Sequence, residues 1–383
     1  MKNSMILFGI VLGITSCIDY YPIPGIPSKV GYLVVDGFIN SNGPTTIKLT
    51  HTLAVYDQYN LPLPELKAKV DVESEDKTKV YSLTDRGKGI YSSDFLSIDY
   101  SKQYRIHIKT ANNKEYLSEY VAVMKTPLID KITWEIDSED GGVYIYVYAK
   151  DADNNAARYY NWDYDETWGY HSNFPTSWEY INGRVVLNYF RENIYYCWIT
   201  KKPTNIIITS TKKLSQNVVH KFPVRFIPFS SGKLMMGYRM LLKQYAVTAN
   251  AYQYLVELKK NSEQQGTLFD SQPSQLTGNL LCVSNPDEPV FGYVSAHGTS
   301  EKEIFIFPYE VPTYNIIDSK FECPGTKGLP QSEITRLLNT GSYLPADDTA
   351  KITDGPKAMF QPKECVDCRE QGGANKKPAN WPL

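Results

Sequence analysis

Between residues 30 and 125 the chain alternates between apolar and polar residues with a period of two and is repeatedly interrupted by turn residues. GYLVVDGFIN, TTIKLTHTLAV, AKVDVES, KVYSLTD, GIYSSDF, QYRIHIKT and EYLSEYVAVM each read as a short strand, with breaks at Asn42-Gly43-Pro44, Gly87-Lys88-Gly89 and Asn112-Asn113. Val70 with Val72, and Tyr104 with Ile106 and Ile108, are spaced to cover one buried face of a sheet. Roughly seven short strands at this spacing predict an N-terminal β-sandwich of immunoglobulin-like or transthyretin-like type. The stretch has no Cys-Trp-Cys spacing, so an antibody-type domain is not supported.

Thr126-Pro127 punctuates a boundary, after which KITWEID and GVYIYVYAKD resume the strand pattern. Val143, Ile145 and Val147 alternate there with Tyr144, Tyr146 and Tyr148, which predicts a central strand covered on both faces. Thirty tyrosines in 383 residues favour strands, where aromatic side chains fit the pleated surface. NIIITST, KFPVRFIPFS, GKLMMGYRMLLKQYAV, VFGYVSAH and KEIFIFPYEV read as further strands. The helical exception spans 249–263: Thr248 is its N-cap, Tyr252, Leu255, Val256 and Leu258 lie near one stripe, and Gly266 follows the end. From 317 to 383 periodicity fades, apart from a short helix near 332–338, which predicts an irregular C-terminal extension wrapped over a larger β-sandwich spanning 126–316.

The N-terminus constrains location. Lys2 precedes an apolar run from Met5 to Ile14, too short to span a bilayer as a helix, and the run ends in Ile14-Thr15-Ser16-Cys17. That ending resembles a bacterial lipobox, so residues 1–17 are expected to be a signal whose Cys17 is acylated and becomes the new N-terminus. Residues 18–29, IDYYPIPGIPSK, read as a proline-rich tether. The expected location is the outer membrane, lipid-anchored and facing the cell surface. A hydrophobic fraction of 42% and a charged fraction of 21% allow a full core, and a net charge of -2 excludes a basic field for nucleic acid.

Candidate chemistry is sparse. His51, His107, His171, His220 and His297 fall in no zinc spacing, and GxSxG, P-loop and GxGxxG patterns are missing, so neither cofactor nor metal is expected. Asp151-Ala152-Asp153 imitates the start of a calcium loop but lacks its glycine and terminal glutamate. Asp163, Asp165 and Glu166 form the densest carboxylate cluster; on a strand the two aspartates share a face, as an acid/base pair requires, or they pair with Arg158 and nearby lysines. Trp162, Tyr164, Trp168, Tyr170, Trp178 and Tyr180 recur mostly at even offsets. Trp168, Tyr170, Trp178 and Tyr180 are the ligand-binding candidates, as rings that stack on a sugar or dock a partner; the competing reading is inter-sheet core. The polar loop from Gly266 to Asn279 either carries function or shapes a connection. Of the remaining cysteines, Cys323 is expected to bond with Cys365 or Cys368, and Cys197 with Cys282, in an oxidising compartment.

The set LVVDGFIN, Thr126-Pro127 through Trp134, RYYNWDYDETW at 158–168, Cys197-Trp198, GTLFDSQPSQLTGN at 266–279, VFGYVSA at 290–296 and CVDCREQGG near the end has a family character. It resembles a family of Bacteroidota outer-membrane lipoproteins catalogued as a domain of unknown function (family 4249) and found as companions of TonB-dependent transporters. The resemblance implies uptake or envelope work and no assigned reaction. The leading expectation is a non-enzymatic accessory or ligand-capturing subunit beside a TonB-dependent barrel, with a glycan or peptide as ligand. The alternatives are a surface hydrolase using Asp163, Asp165 or Glu166, and an envelope-assembly or adhesion protein.

Overall fold

The structure is a computed structural model that describes residues 31–53, 61–151, 157–263, 276, 278–312, 323–348 and 357–382. Cys17 and the tether lie outside the described residues, as does most of the Gly266 to Asn279 loop. In chain order come β1 (Leu33–Asn40), β2 (Pro44–His51), β3 (Lys69–Ser74), β4 (Val80–Asp85), β5 (Ile90–Phe95), β6 (Gln103–Lys109), β7 (Glu115–Ser118) and β8 (Val121–Met124). The second unit holds β9 (Ile129–Asp137), β10 (Gly142–Lys150), β11 (Tyr159–His171), β12 (Trp178–Ile181), β13 (Arg184–Leu187), β14 (Tyr196–Lys201), β15 (Ile207–Ser210), β16 (Val218–Pro228), β17 (Tyr238–Val247) and helix α1 (Ala249–Glu263). Then follow β18 (Leu280–Cys282), β19 (Ala296–His297), β20 (Ser300–Ile306), α2 (Gln331–Asn339), β21 (Tyr343–Asp347), β22 (Ala358–Pro362) and α3 (Lys363–Val366).

The N-terminal strands do not form the expected two-sheet sandwich. They run in the order β6-β3-β4-β5-β2-β1-β19-β8, and β8 pairs back onto β6, which gives an eight-strand, mixed, barrel-like sheet. Closure depends on β19, whose two residues come from beyond helix α1 and lie parallel to both neighbours: Ala296 is opposite Ile39 and Val123, His297 opposite Asn40 and Met124. The alternation read from sequence is realised in the interior, where Val70, Val72, Tyr104, Ile106 and Ile108 are fully buried with Leu33, Val35, Ile47 and Leu49. Closing the sheet leaves no free edge along this seam. Two strands from the 126–316 stretch, β18 and β19, pair within the first unit's sheet.

The second unit packs a three-stranded sheet, β16-β10-β9, on a sheet of β14-β11-β17-β20 with β15 also paired to β11. Val143, Ile145 and Val147 face Trp162, Tyr164, Tyr238, Met240 and Leu242 in one core. β10 is central in its sheet, as expected, but covered on one face only. Tyr144, Tyr146 and Tyr148 stay half-buried, with Lys221 over the Tyr146 ring and Lys131 over Tyr148. Helix α1 has the expected bounds, and its Ala251 amide donates to the Thr248 hydroxyl at 3.3 Å.

The tail is tied down covalently. Cys323 bonds to Cys365, and Cys197 bonds to Cys368 across 171 residues, which in the chain-entropy account is worth roughly 5 kcal/mol. The expected Cys197–Cys282 pair does not form: Cys282 is a buried thiol on β18, in the other unit's core, while Cys197 on β14 faces the tail.

Residues 290–296 run along β1 at the seam. The Val35 amide donates to the Phe291 carbonyl (2.8 Å), Ile39 to Ser295 (2.9 Å) and Ser41 to His297 (3.0 Å). The approach is so close that a Cβ at Gly292, whose φ is +124°, would sit 2.0 Å from the Val35 carbonyl oxygen, and one at Gly278 would sit 1.8 Å from that of Gly292. Gly292→Ala is expected to destabilise the chain by more than about 2 kcal/mol in denaturant unfolding, whereas Gly87→Ala, where φ is +81° but no atom lies within reach, carries the backbone strain alone, about 1 kcal/mol.

Candidate functional site

Where the barrel meets the second unit, the junction leaves a cleft of about 950 Å³. One wall is the outer face of β1 and β2, carrying Val34, Asp36, Phe38, Thr46 and Lys48. These are the alternate positions to the buried Leu33, Val35, Ile39 and Ile47, so the pleat that fills the barrel also builds the wall. The opposite wall is the odd-numbered face of β11 and β17, with Asn161, Asp163, Lys243 and Tyr245. Helix α1 contributes Tyr254, Leu255 and Leu258, and His297 of β19 closes the floor. A concave, largely apolar site with a few polar groups at a junction of two units is where small ligands are usually held.

The carboxylate cluster divides across the sheet. Asp163 and Asp165 share a face of β11, as their spacing predicted, but Glu166 turns into the core. There it accepts from Arg225 Nε at 3.2 Å, Lys233 Nζ at 2.5 Å and the Tyr238 hydroxyl at 2.8 Å. A buried carboxylate with two cations and a phenol is a structural network, and removing one partner from such a group is costly. The three acids do not converge in one cleft.

Asp165 is committed as well: Lys243 Nζ lies 2.9 Å from its Oδ2, and Lys202 Nζ is 3.8 Å from its Oδ1. Asp163 differs. Its Oδ1 accepts from the Tyr164 amide at 2.8 Å, and among the described residues it forms no ion pair. Burial pushes its pKa above the usual aspartate value, the Asp165 charge adds to the rise, and Lys202 and Lys243 offset only part of it. His297 is 3% exposed, stacks on Phe38 at 4.2 Å and tilts against Tyr245 at 5.0 Å. Burial lowers its pKa to about 4, so the imidazole is neutral.

The aromatic candidates distribute differently from an exposed platform. Even offsets do share a face, but it is the core face: Trp168 and Tyr170 are 8% and 7% exposed. Lys233 caps the Trp168 ring, and the Tyr170 hydroxyl donates to the Cys368 carbonyl at 2.7 Å. Trp178 and Tyr180 lie on the β12–β13 hairpin, half-buried, with the Tyr180 hydroxyl donating to Asn339 Oδ1 at 2.8 Å. None of the four lines the cleft. The end of the polar loop has a structural role: Asn279 clamps Val294 with two hydrogen bonds of 2.8 and 2.9 Å. Residues 152–156 of the calcium-like stretch lie outside the described residues. No group of three His, Cys, Asp or Glu among the described residues is arranged to hold a metal, and no described helix is long and apolar enough to cross a membrane.

Asp36, Lys48, Lys243, Tyr245 and His297 were not singled out from sequence as site residues. Lys243 and Tyr245 lie inside a strand read only as core, and His297 joins the site solely through the pairing of β19 with β1.

Fold and cleft together define a mainly-β protein of two interlocked units with a ligand-sized cleft between them. The chain belongs to the family described as Domain of unknown function (DUF4249), whose profile matches residues 19–303. No curated protein matches it. Among solved structures it is similar to a Salmonella alpha-2-macroglobulin variant at 9% identity and a TM-score of 0.17, over 59% of this chain and 14% of that one. A likeness that distant carries no argument here.

The raised pKa of Asp163 has a stability signature. The native state holds this proton more tightly than the unfolded chain, so stability falls as pH rises from the ordinary aspartate range, about 3.9, through the raised native value. Asp163→Asn is expected to raise the melting temperature at pH 7, and the gain should vanish below about pH 4, where both states are protonated. A variant less stable than wild type at pH 7 would show that the carboxylate is held by bonds that favour its charge.

Proposed function

We propose that this chain is a non-enzymatic, ligand-capturing subunit, held at the outer membrane by acylated Cys17 and working beside a TonB-dependent transporter. The observation that carries the capture reading is the cleft at the junction of the two units, whose lining includes two carboxylates, Asp36 and Asp163, that form no ion pair among the described residues. The lipobox-like Ile14-Thr15-Ser16-Cys17 and the proline-rich tether support the anchor. An anchored binding module raises the local concentration of its ligand at a partner without a tight interface.

The division of the acids favours binding over hydrolysis. A glycosidase needs two carboxyl groups facing one bond at a defined separation. Glu166 is on the far side of the sheet, and Asp165 is neutralised by Lys243.

Two measurements on native membranes test the proposal. Tagged protein extracted in mild detergent is expected to bring down a TonB-dependent barrel in near-stoichiometric amount, and Cys17→Ser is expected to move the chain from the membrane to the soluble fraction. Recovery of the protein alone would contradict the partnership, and an unchanged membrane fraction for Cys17→Ser would contradict the anchor.

A further inference from the structure

From the unpaired acceptors of Asp163, His297 and Tyr245 in the lining of the cleft we infer that this part of it is a subsite for a primary ammonium group, which makes the captured ligand an amine-bearing one such as a peptide N-terminus. The inference rests on the cleft being the capture site.

Three side chains that line the cleft each carry an atom without a hydrogen-bond partner among the described residues, and the His297 and Tyr245 rings lie 5.0 Å apart. The first is Oδ2 of Asp163, since only Oδ1 accepts from the chain. The second is Nε2 of His297. Its Nδ1 lies 3.2 Å from the Gly298 carbonyl, which only accepts, so Nδ1 carries the hydrogen and Nε2 offers a lone pair. The third is the hydroxyl of Tyr245, a residue 8% exposed that makes no hydrogen bond to any described residue. A carboxylate, an imidazole lone pair and a phenol oxygen are three acceptors, and an ammonium group has three donors and no acceptor.

The surroundings support a cation. Phe38, Tyr245 and Tyr254 line the same cleft, and aromatic faces attract ammonium groups. The cations that would oppose it are largely committed: Lys243 pairs with Asp165 at 2.9 Å, and Lys202 reaches the same carboxylate at 3.8 Å. Asp163 is a half-buried carboxylate whose burial outweighs the help of the Tyr164 amide, Lys202 and Lys243, and a bound ammonium would offset the remainder of that cost. Of the other charged groups facing the cleft, Asp36 on β1 adds negative charge, and Lys48 on β2 has no ion-pair partner among the described residues. Lys48 is placed to meet a carboxylate or carbonyl further along the same ligand. Leu255, Leu258 and Ile206 offer an apolar wall for its side chains. A free amine and a peptide N-terminus share this chemistry; the apolar wall and Lys48 favour the peptide.

The test immobilises the full chain from detergent extracts and passes over it four probes: casein peptides, the same peptides with every amine acetylated, spermidine, and neutral maltodextrins. Free-amine peptides are expected to be retained at least tenfold better than their acetylated counterparts. Asp163→Asn is expected to lose that retention while melting no lower than wild type at pH 7, which separates lost binding from lost folding. His297→Phe, which keeps the ring stack and removes the lone pair, is expected to weaken retention severalfold. Spermidine bound better than peptides would keep the ammonium subsite and move the ligand to free polyamines. Equal retention of acetylated peptides, selective retention of maltodextrins, or undiminished binding by Asp163→Asn would overturn the subsite and leave the capture reading standing. Retention of none of the four would count against both.

Discussion

Two residues close the barrel. β19 enters between β1 and β8, parallel to each, and the carbonyls of His297 and of Ser295 just before the strand accept the Ser41 and Ile39 amides. Because this strand arrives from beyond α1, the first unit's sheet is completed by residues that follow most of the second unit in the chain. The junction is bolted by buried polar groups. The Thr126 hydroxyl donates to Gly298 at 2.6 Å and accepts from the Ala246 amide at 3.0 Å, while Gln244 bridges the Pro127 carbonyl and the Trp162 indole. A buried network of this kind is satisfied in one arrangement only, which fixes the walls of the cleft relative to each other.

The same strand, β11, then separates structure from chemistry by parity. Its even positions carry Tyr160, Trp162, Tyr164, Glu166, Trp168 and Tyr170 into the sandwich core, where even the charge is consumed by Arg225 and Lys233. Its odd positions present Asn161 and Asp163 to the cleft. A carboxylate that forms no ion pair among the described residues and sits at raised pKa is a local sacrifice of stability, of the sort functional sites tolerate.

Strand existence was legible because alternation is a local signal: Val70/Val72 and Tyr104/Ile106/Ile108 point inward as their spacing demanded. Helix α1 was legible from its cap and stripe. The barrel was not, because its closure rests on a pairing between residues 39 and 296, and a two-residue strand has no period to read. The aromatic candidates misled for a related reason. Even spacing says that side chains share a face but not which face is wet, and at Trp168 and Tyr170 it is the dry one. The stretches LVVDGFIN, Thr126-Pro127, Gly278-Asn279 and VFGYVSA, which carry the family resemblance, meet at the seam through the Gly278, Gly292 and Val35 backbones and the Thr126 and Asn279 side chains. These parts of the resemblance therefore report how the barrel is closed more than what the cleft holds.

Hydrogen–deuterium exchange on the full chain tests the central claim most directly, by following the Ile39 and Ser41 amides against those of β17. If β19 closes the barrel and locks it to the second unit, both sets should be protected to a similar degree and should lose protection together as denaturant is raised. Rapid exchange at Ile39 and Ser41 while β17 stays protected would mean that the seam is open in solution and that the cleft is not a fixed site.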